Sequence, residues 1–135
     1  MDLQIGRVYG DEPAPPRAYR VLVDRLWPRG VRKEGAPWDA WWKELTPSDA
    51  LRRWFHQDPE ARWEGFQRRY REELDALGTE VTAPALAACR EHETVVLLTA
   101  ARNPERSHVR VLRQWLLERL GGGQVPGPGA SGQGL

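Results

Sequence analysis

Cysteine is nearly missing from this chain: Cys89 is the only one in 135 residues. A single thiol excludes an internal disulfide and a cysteine-rich metal site, and it fits a reducing compartment. An excess of charge is missing too. Twenty Lys and Arg face 19 Asp and Glu, a net charge of +1, which by itself gives no argument for a nucleic-acid partner. No apolar run approaches the roughly 18 residues of a membrane span, and no basic start leads into an apolar stretch. We therefore expect no membrane segment, no signal peptide and a cytoplasmic location. There is no GxGxxG or GxxxxGK[ST] run, which counts against dinucleotide and P-loop nucleotide sites. Nor is there an HExxH, a DxDxDG-like pattern or a histidine cluster, so neither a fixed metal nor a cofactor is expected.

What is present describes one domain over residues 1–120. The Gly- and Pro-rich segment 121–135 has little to pack and is expected to be a disordered tail. Forty per cent of the chain is apolar and seven residues are tryptophan; several must bury large areas to fill a shallow core. Leu3 to Tyr9 alternates weakly and reads as an edge strand, followed by a Pro-rich loop from Gly10 to Pro16. Arg20 to Leu26 contains Val21, Leu22 and Val23 and reads as a buried strand that Pro28 and Gly30 end.

From Asp39 to Leu77 the pattern is helical in three pieces. Asp39 caps a short turn carrying Trp41, Trp42 and Leu45. Thr46-Pro47 then starts a helix, with Asp49 completing a capping-box-like pattern. Asp58-Pro59 starts another, with Trp63, Phe66, Tyr70, Leu74 and Leu77 at spacings of three and four. Thr82 and Pro84 open a fourth helix. Thr94 to Ala101 is a second buried strand, and Asn103-Pro104 begins a final helix. Strands separated by helices imply an α/β fold: a small, mainly parallel sheet of three to four strands flanked by helices, rhodanese- or flavodoxin-like in its three layers.

Charge gathers where these strands end. Between Arg17 and Lys33 there are six basic residues against the single Asp24. Asp24, Arg25, Trp27 and Arg29 follow one buried strand, and Arg102-Asn103 follows the other. In an open α/β sheet, ligands sit beyond the carboxyl ends of the strands. Arginine suits phosphate or carboxylate because its planar fork donates two parallel hydrogen bonds. Asp24 can orient a guanidinium or accept a proton, and Trp27 can form a wall. The alternative is an internal Asp–Arg network that pins the loop. Asn103 is expected to cap the helix whose free N–H groups face the same crevice.

His108, early in that helix, is an acid–base candidate beside Asp24. His56 is expected to hydrogen-bond across an interhelix turn, and His92 to face solvent at a helix end. Cys89 lies in an apolar helical stretch rather than at a strand-to-helix tip, so it reads as a core residue and not a nucleophile.

Taken together, VDRLWPRG (Val23 to Gly30), the run from Leu45 to Leu74 and the strand ending LLTAARN (Leu97 to Asn103) resemble the YeaO-like proteins, family 488 of the domains of unknown function. The resemblance covers roughly residues 7–120. It implies a small, stand-alone cytoplasmic protein without an established activity. The matching positions are Asp24, Arg25, Trp27, Pro28, Arg29 and Gly30, then Trp54, Phe55, Asp58, Pro59, Trp63, Phe66 and Tyr70. After the second strand the family wording resembles YAA[KR]D, followed shortly by HN. Here Thr99 stands for the tyrosine, Asn103 for the aspartate and Arg106-Ser107 for the HN pair, while His108 and Arg110 match one common variant. These departures remove an acid–base aspartate and histidine from the crevice.

The leading expectation is a small anionic ligand, phosphorylated or carboxylated, held by Arg25, Arg29, Arg102 and Asn103 against Trp27. Asp24 and His108 are the groups for any acid–base step. The alternative is a nucleic-acid-binding or regulatory module using the Arg17–Lys33 patch, and the chain is monomeric or forms a homodimer through its tryptophans.

Overall fold

A computed structural model describes residues 1–9, 15 and 17–121 of the chain. The Pro-rich loop expected over 10–16 and the tail expected over 121–135 lie outside these residues, except Pro15 and Gly121. Four strands form one parallel sheet: β1 (Asp2–Arg7), β2 (Tyr19–Leu22), β3 (Ala40–Trp41) and β4 (Thr94–Thr99), in the order β1-β4-β2-β3. Four α-helices accompany it: α1 (Asp49–Gln57), α2 (Pro59–Ala76), α3 (Thr79–Glu91) and α4 (His108–Gly121). The α/β class and the parallel sheet are as the sequence implies.

β4 is central because it is apolar on both faces. A strand flanked by parallel neighbours and covered on each side reads as an unbroken hydrophobic run, and Thr-Val-Val-Leu-Leu-Thr is such a run. Leu3 and Tyr19 stand opposite Val95, one on each side, and Leu22 stands opposite Leu98. One face of the sheet contributes Leu3, Val21, Val23, Val95 and Leu97 to the core. The helices bring Leu51, Phe55, Phe66, Tyr70, Leu74, Cys89, Leu112, Trp115 and Leu116 to it. On the other face Leu22 and Val96 are buried. Trp41, in register with Leu22, packs edge-on to Trp27 and donates its indole N–H to the Asp24 carbonyl at 2.7 Å. The 23–39 segment thus closes one end of that face.

Several boundaries differ from the sequence reading, each because a tertiary partner intervenes. β2 ends at Leu22 and β4 at Thr99, short of Leu26 and Ala101. Past Thr99 side chains replace the ladder: the Ala100 N–H goes to the Asp24 carboxylate and the Ala101 N–H to Thr99 Oγ1. Asp39 caps no helix. Its N–H bonds the Arg20 carbonyl and its carboxylate accepts the Arg20 N–H, so the segment pairs as β3, followed by a single 3-10 turn over Lys43–Leu45.

The cap of α1 is Ser48 rather than Thr46. Ser48 Oγ accepts the Leu51 N–H, while Glu73 of α2 accepts both the N–H and the O–H of Ser48. The reciprocal bond of a capping box is therefore supplied by another helix. α2 opens as expected, with Asp58 accepting from the Ala61 N–H and Pro59 as the first helical residue.

α3 starts earlier than expected, at Thr79, and carries Pro84 inside it. Asn103-Pro104 opens only a 3-10 turn over Pro104–Arg106, and the Asn103 side chain makes no capping bond. Ser107 takes that place, accepting the Val109 N–H and donating to the Pro104 carbonyl. His92 is half-buried and stacked on Tyr19 with ring centroids 4.2 Å apart, rather than facing solvent.

Trp38, Trp63 and Trp115 are buried, and among the described residues the exposed large apolar side chains are Met1, Tyr9 and Leu26. Trp27, Trp41, Trp42 and Trp54 are half-buried. The guanidinium groups of Arg62 and Arg69 both pack over the Trp54 ring. Among the described residues no helix is long and apolar enough to cross a membrane.

Candidate functional site

Beyond the carboxyl ends of β2 and β4 lies a cavity of about 770 Å³. Asp24, Arg25, Trp27, Arg29, Arg102, Asn103 and His108 all line it. The sheet brings the two charged segments together because β2 and β4 are adjacent and parallel, so both chains leave at the same edge.

Asp24 forms the most connected point of the wall. Thr99 donates its hydroxyl to Oδ1 at 2.7 Å, and the Ala100 N–H donates to Oδ2 at 2.7 Å. His108 Nε2 lies 2.6 Å from the Val23 carbonyl and 3.3 Å from Asp24 Oδ1. A carbonyl oxygen has no proton to give, so Nε2 carries the hydrogen and points it at both acceptors. Burial penalises the charged form of Asp24, but the hydrogen bonds from His108, Ala100 and Thr99 and the nearby imidazole outweigh it. The carboxyl is held below its ordinary value of 3.8. The site therefore presents Asp24 as a carboxylate already committed to internal donors.

Arginine dominates the remaining charge. Arg25, Arg29, Arg52, Arg102 and Arg106 line the cavity, and among the described residues Asp24 is the only carboxylate that does. The expectation that Asp24 orients the arginines is not met, since its oxygens turn back to β4. Asp49 does that work: its Oδ1 lies 3.1 Å from Arg25 Nε and 3.2 Å from Arg52 Nη1. As the first residue of α1 (with Ser48 taking the cap) Asp49 is free to hold both. Arg106 lies over the Trp63 ring, 5.2 Å from its centroid. Trp27 is fixed by its indole N–H on the Val31 carbonyl and by edge contacts with Trp38 and Trp41.

His56 is also at the wall and makes no hydrogen bond across the turn between α1 and α2. Arg62 bridges that turn instead, donating to the Trp54 carbonyl and to Gln57 Oε1. Partial burial and the charges of Arg52 and His108 push the His56 pKa below 6.5. Cys89 is fully buried in α3, away from the cavity, and its thiol is pushed up to about 11 by burial. Among the described residues no group of three or more His, Cys, Asp or Glu side chains is placed to hold a metal ion.

Sequence reasoning missed Arg52, Arg106, Phe55, Phe66, Tyr9 and Leu26 as lining residues. One signal was available: Arg52 and His56 are four apart on a helix and so share a face. The aromatic lining had none, because its phenylalanines also belong to the core.

A family profile described as "Inactive DUF488-N3 subclade" matches residues 2–131. The uncharacterized protein Rv3073c of Mycobacterium tuberculosis is 41% identical over 117 residues, covering 84% of this chain and 92% of that protein. The uncharacterized protein YeaO of Escherichia coli is 39% identical over 116 residues, covering 86% of this chain and 97% of YeaO. No solved structure matches the chain significantly. The chain thus belongs to the YeaO-like proteins of domain-of-unknown-function family 488, in the branch described as the inactive DUF488-N3 subclade.

Proposed function

We propose that this protein binds a small anionic ligand, phosphorylated or carboxylated, in the arginine-lined cavity, and that it binds without turning the ligand over. The observation that carries this reading is the charge of the wall: among the described residues, five arginines around one carboxylate that is already satisfied internally. A guanidinium cluster facing a shared space lowers its mutual repulsion by taking up an anion, and the forked geometry favours phosphate or carboxylate. Arg25, Arg29 and Arg102 contact the anion in this reading, Asn103 adds a neutral donor, and Trp27 forms the fixed wall.

Turnover is the weaker reading. Asp24 and His108, the acid–base candidates, are tied to each other and to backbone groups. Thr99, Asn103 and Arg106-Ser107 stand where the family wording places a tyrosine, an aspartate and an HN pair. The description of the subclade as inactive agrees with this. For the nucleic-acid reading, Arg20 of the Arg17–Lys33 patch faces Asp39, which lowers the free charge that patch offers.

Thermal stability and tryptophan fluorescence against a panel of phosphates and carboxylates test the proposal. A ligand at a hundredfold excess over its Kd should stabilise the fold by about 2.7 kcal/mol. Arg25→Ala should weaken every binding anion; affinity left intact for all of them would overturn the reading.

A further inference from the structure

Anion recognition does not account for the whole cavity. Of the three exposed large apolar side chains among the described residues, two stand at this one cavity: Leu26, 65% exposed, and Tyr9, 50% exposed. They are not loose. Tyr9 donates its hydroxyl to the Arg29 carbonyl at 2.8 Å, which fixes its ring against the turn that Gly30 makes with a φ of +81°. Leu26 sits between Arg25 and Trp27, both of which are anchored. Deeper in, Phe55 and Phe66 stack with centroids 4.3 Å apart and complete an apolar wall.

Apolar surface held in water beside a cavity is the mark of a surface that a ligand covers. Inorganic phosphate or a small carboxylate would engage the arginines and leave this surface wet. We infer that the ligand of this cavity is an aromatic anion: a flat ring body that covers Leu26 and Tyr9 beside the buried Phe55–Phe66 pair, with a phosphate or carboxylate directed at the arginines. A volume of about 770 Å³ lies within the range of sites that take molecules of this size. Aromatic faces and guanidinium planes both favour a ring over an open aliphatic chain. This inference rests on the anion-binding reading above and adds Leu26 and Tyr9 as residues that select the ligand's body.

The test is isothermal calorimetry with four probes: inorganic phosphate, glycerol 3-phosphate, 1-naphthyl phosphate and 1-naphthoate. They are titrated into the full chain and into Leu26→Ser and Arg25→Ala. Leu26 is exposed, so its replacement leaves the core intact. The naphthyl probes should bind roughly tenfold or more tighter than the ring-free phosphates, with a more negative heat-capacity change. Leu26→Ser should weaken only the naphthyl probes, whereas Arg25→Ala should weaken all four. Comparing 1-naphthyl phosphate with 1-naphthoate separates a phosphate end from a carboxylate end. Equal affinity for ring-bearing and ring-free phosphates, or indifference of the naphthyl probes to Leu26→Ser, would overturn the aromatic inference and leave anion binding standing. Absence of binding by all four probes would remove both.

Discussion

Asp24 is where one residue decides the most. It joins β2 to β4 past the point where backbone pairing stops, through Thr99, Ala100 and His108. Asp24→Ala leaves buried donors without an acceptor and should cost about 2–3 kcal/mol, measured by urea denaturation near neutral pH. The pH dependence has a definite sign. The folded pKa lies below the ordinary 3.8, so the carboxylate's contribution is complete above the unfolded value. It is lost as pH falls through the lower folded value. The stability gap between the parent chain and Asp24→Ala should therefore hold from neutral pH down to about pH 4 and close below it.

His56 acts in the same direction, but in a higher pH range. Its pKa is lowered from 6.5, so the unfolded chain binds that proton more readily and the fold loses stability as pH drops through the ordinary histidine range. An anion seated among the arginines offsets the positive charge that depresses this group. Nuclear magnetic resonance titration of the His56 ring should show its pKa rising when a ligand binds. No rise would place the anion away from Arg52 and His56.

Among the elements, the pairing of α1 with α2 is set by polar contacts as well as by core packing. Ser48 caps α1 only with the help of Glu73, twenty-five residues away on α2. Ser48→Ala should cost about 1 kcal/mol. Glu73→Gln should cost a similar amount, and the double variant less than the sum, because both changes remove one shared interaction. A thermodynamic cycle measured by thermal or chemical unfolding checks this; strict additivity would mean the contact contributes nothing. The same helix start sends Asp49 to Arg25 and Arg52, so the shape of the basic wall depends on where α1 begins.

For the whole molecule, 20 Lys and Arg against 19 Asp and Glu leave a net charge of only +1, while five arginines line the cavity. Association with a nucleic-acid backbone draws on many phosphate contacts and fades steeply with salt. We expect a 20-base-pair duplex to give no thermal shift at physiological salt, while 1-naphthyl phosphate still does. A shift with the duplex alone that disappears as salt is raised would favour the Arg17–Lys33 patch instead.

The residues themselves determined the α/β class, the buried strand β4, the Asp58-Pro59 start of α2 and the clustering of charge after two strands. Each of these is local: a continuous apolar run, a cap followed by proline, or a charged segment next to a strand carries its meaning within a few positions. The tertiary structure alone decided which partner each charge took. Asp39 came to lead into β3 because it pairs with the Arg20 backbone, and Ser48, the cap of α1, is itself held by Glu73. Asp24 turned to Thr99 and Ala100 while Asp49 took Arg25. Hydrogen bonds and ion pairs act over a few ångströms of space, and residues 19 to 76 positions apart become neighbours only once the sheet and helices have packed. That is why the sequence showed where the cavity lies, while the fold decided that its arginines meet an apolar wall.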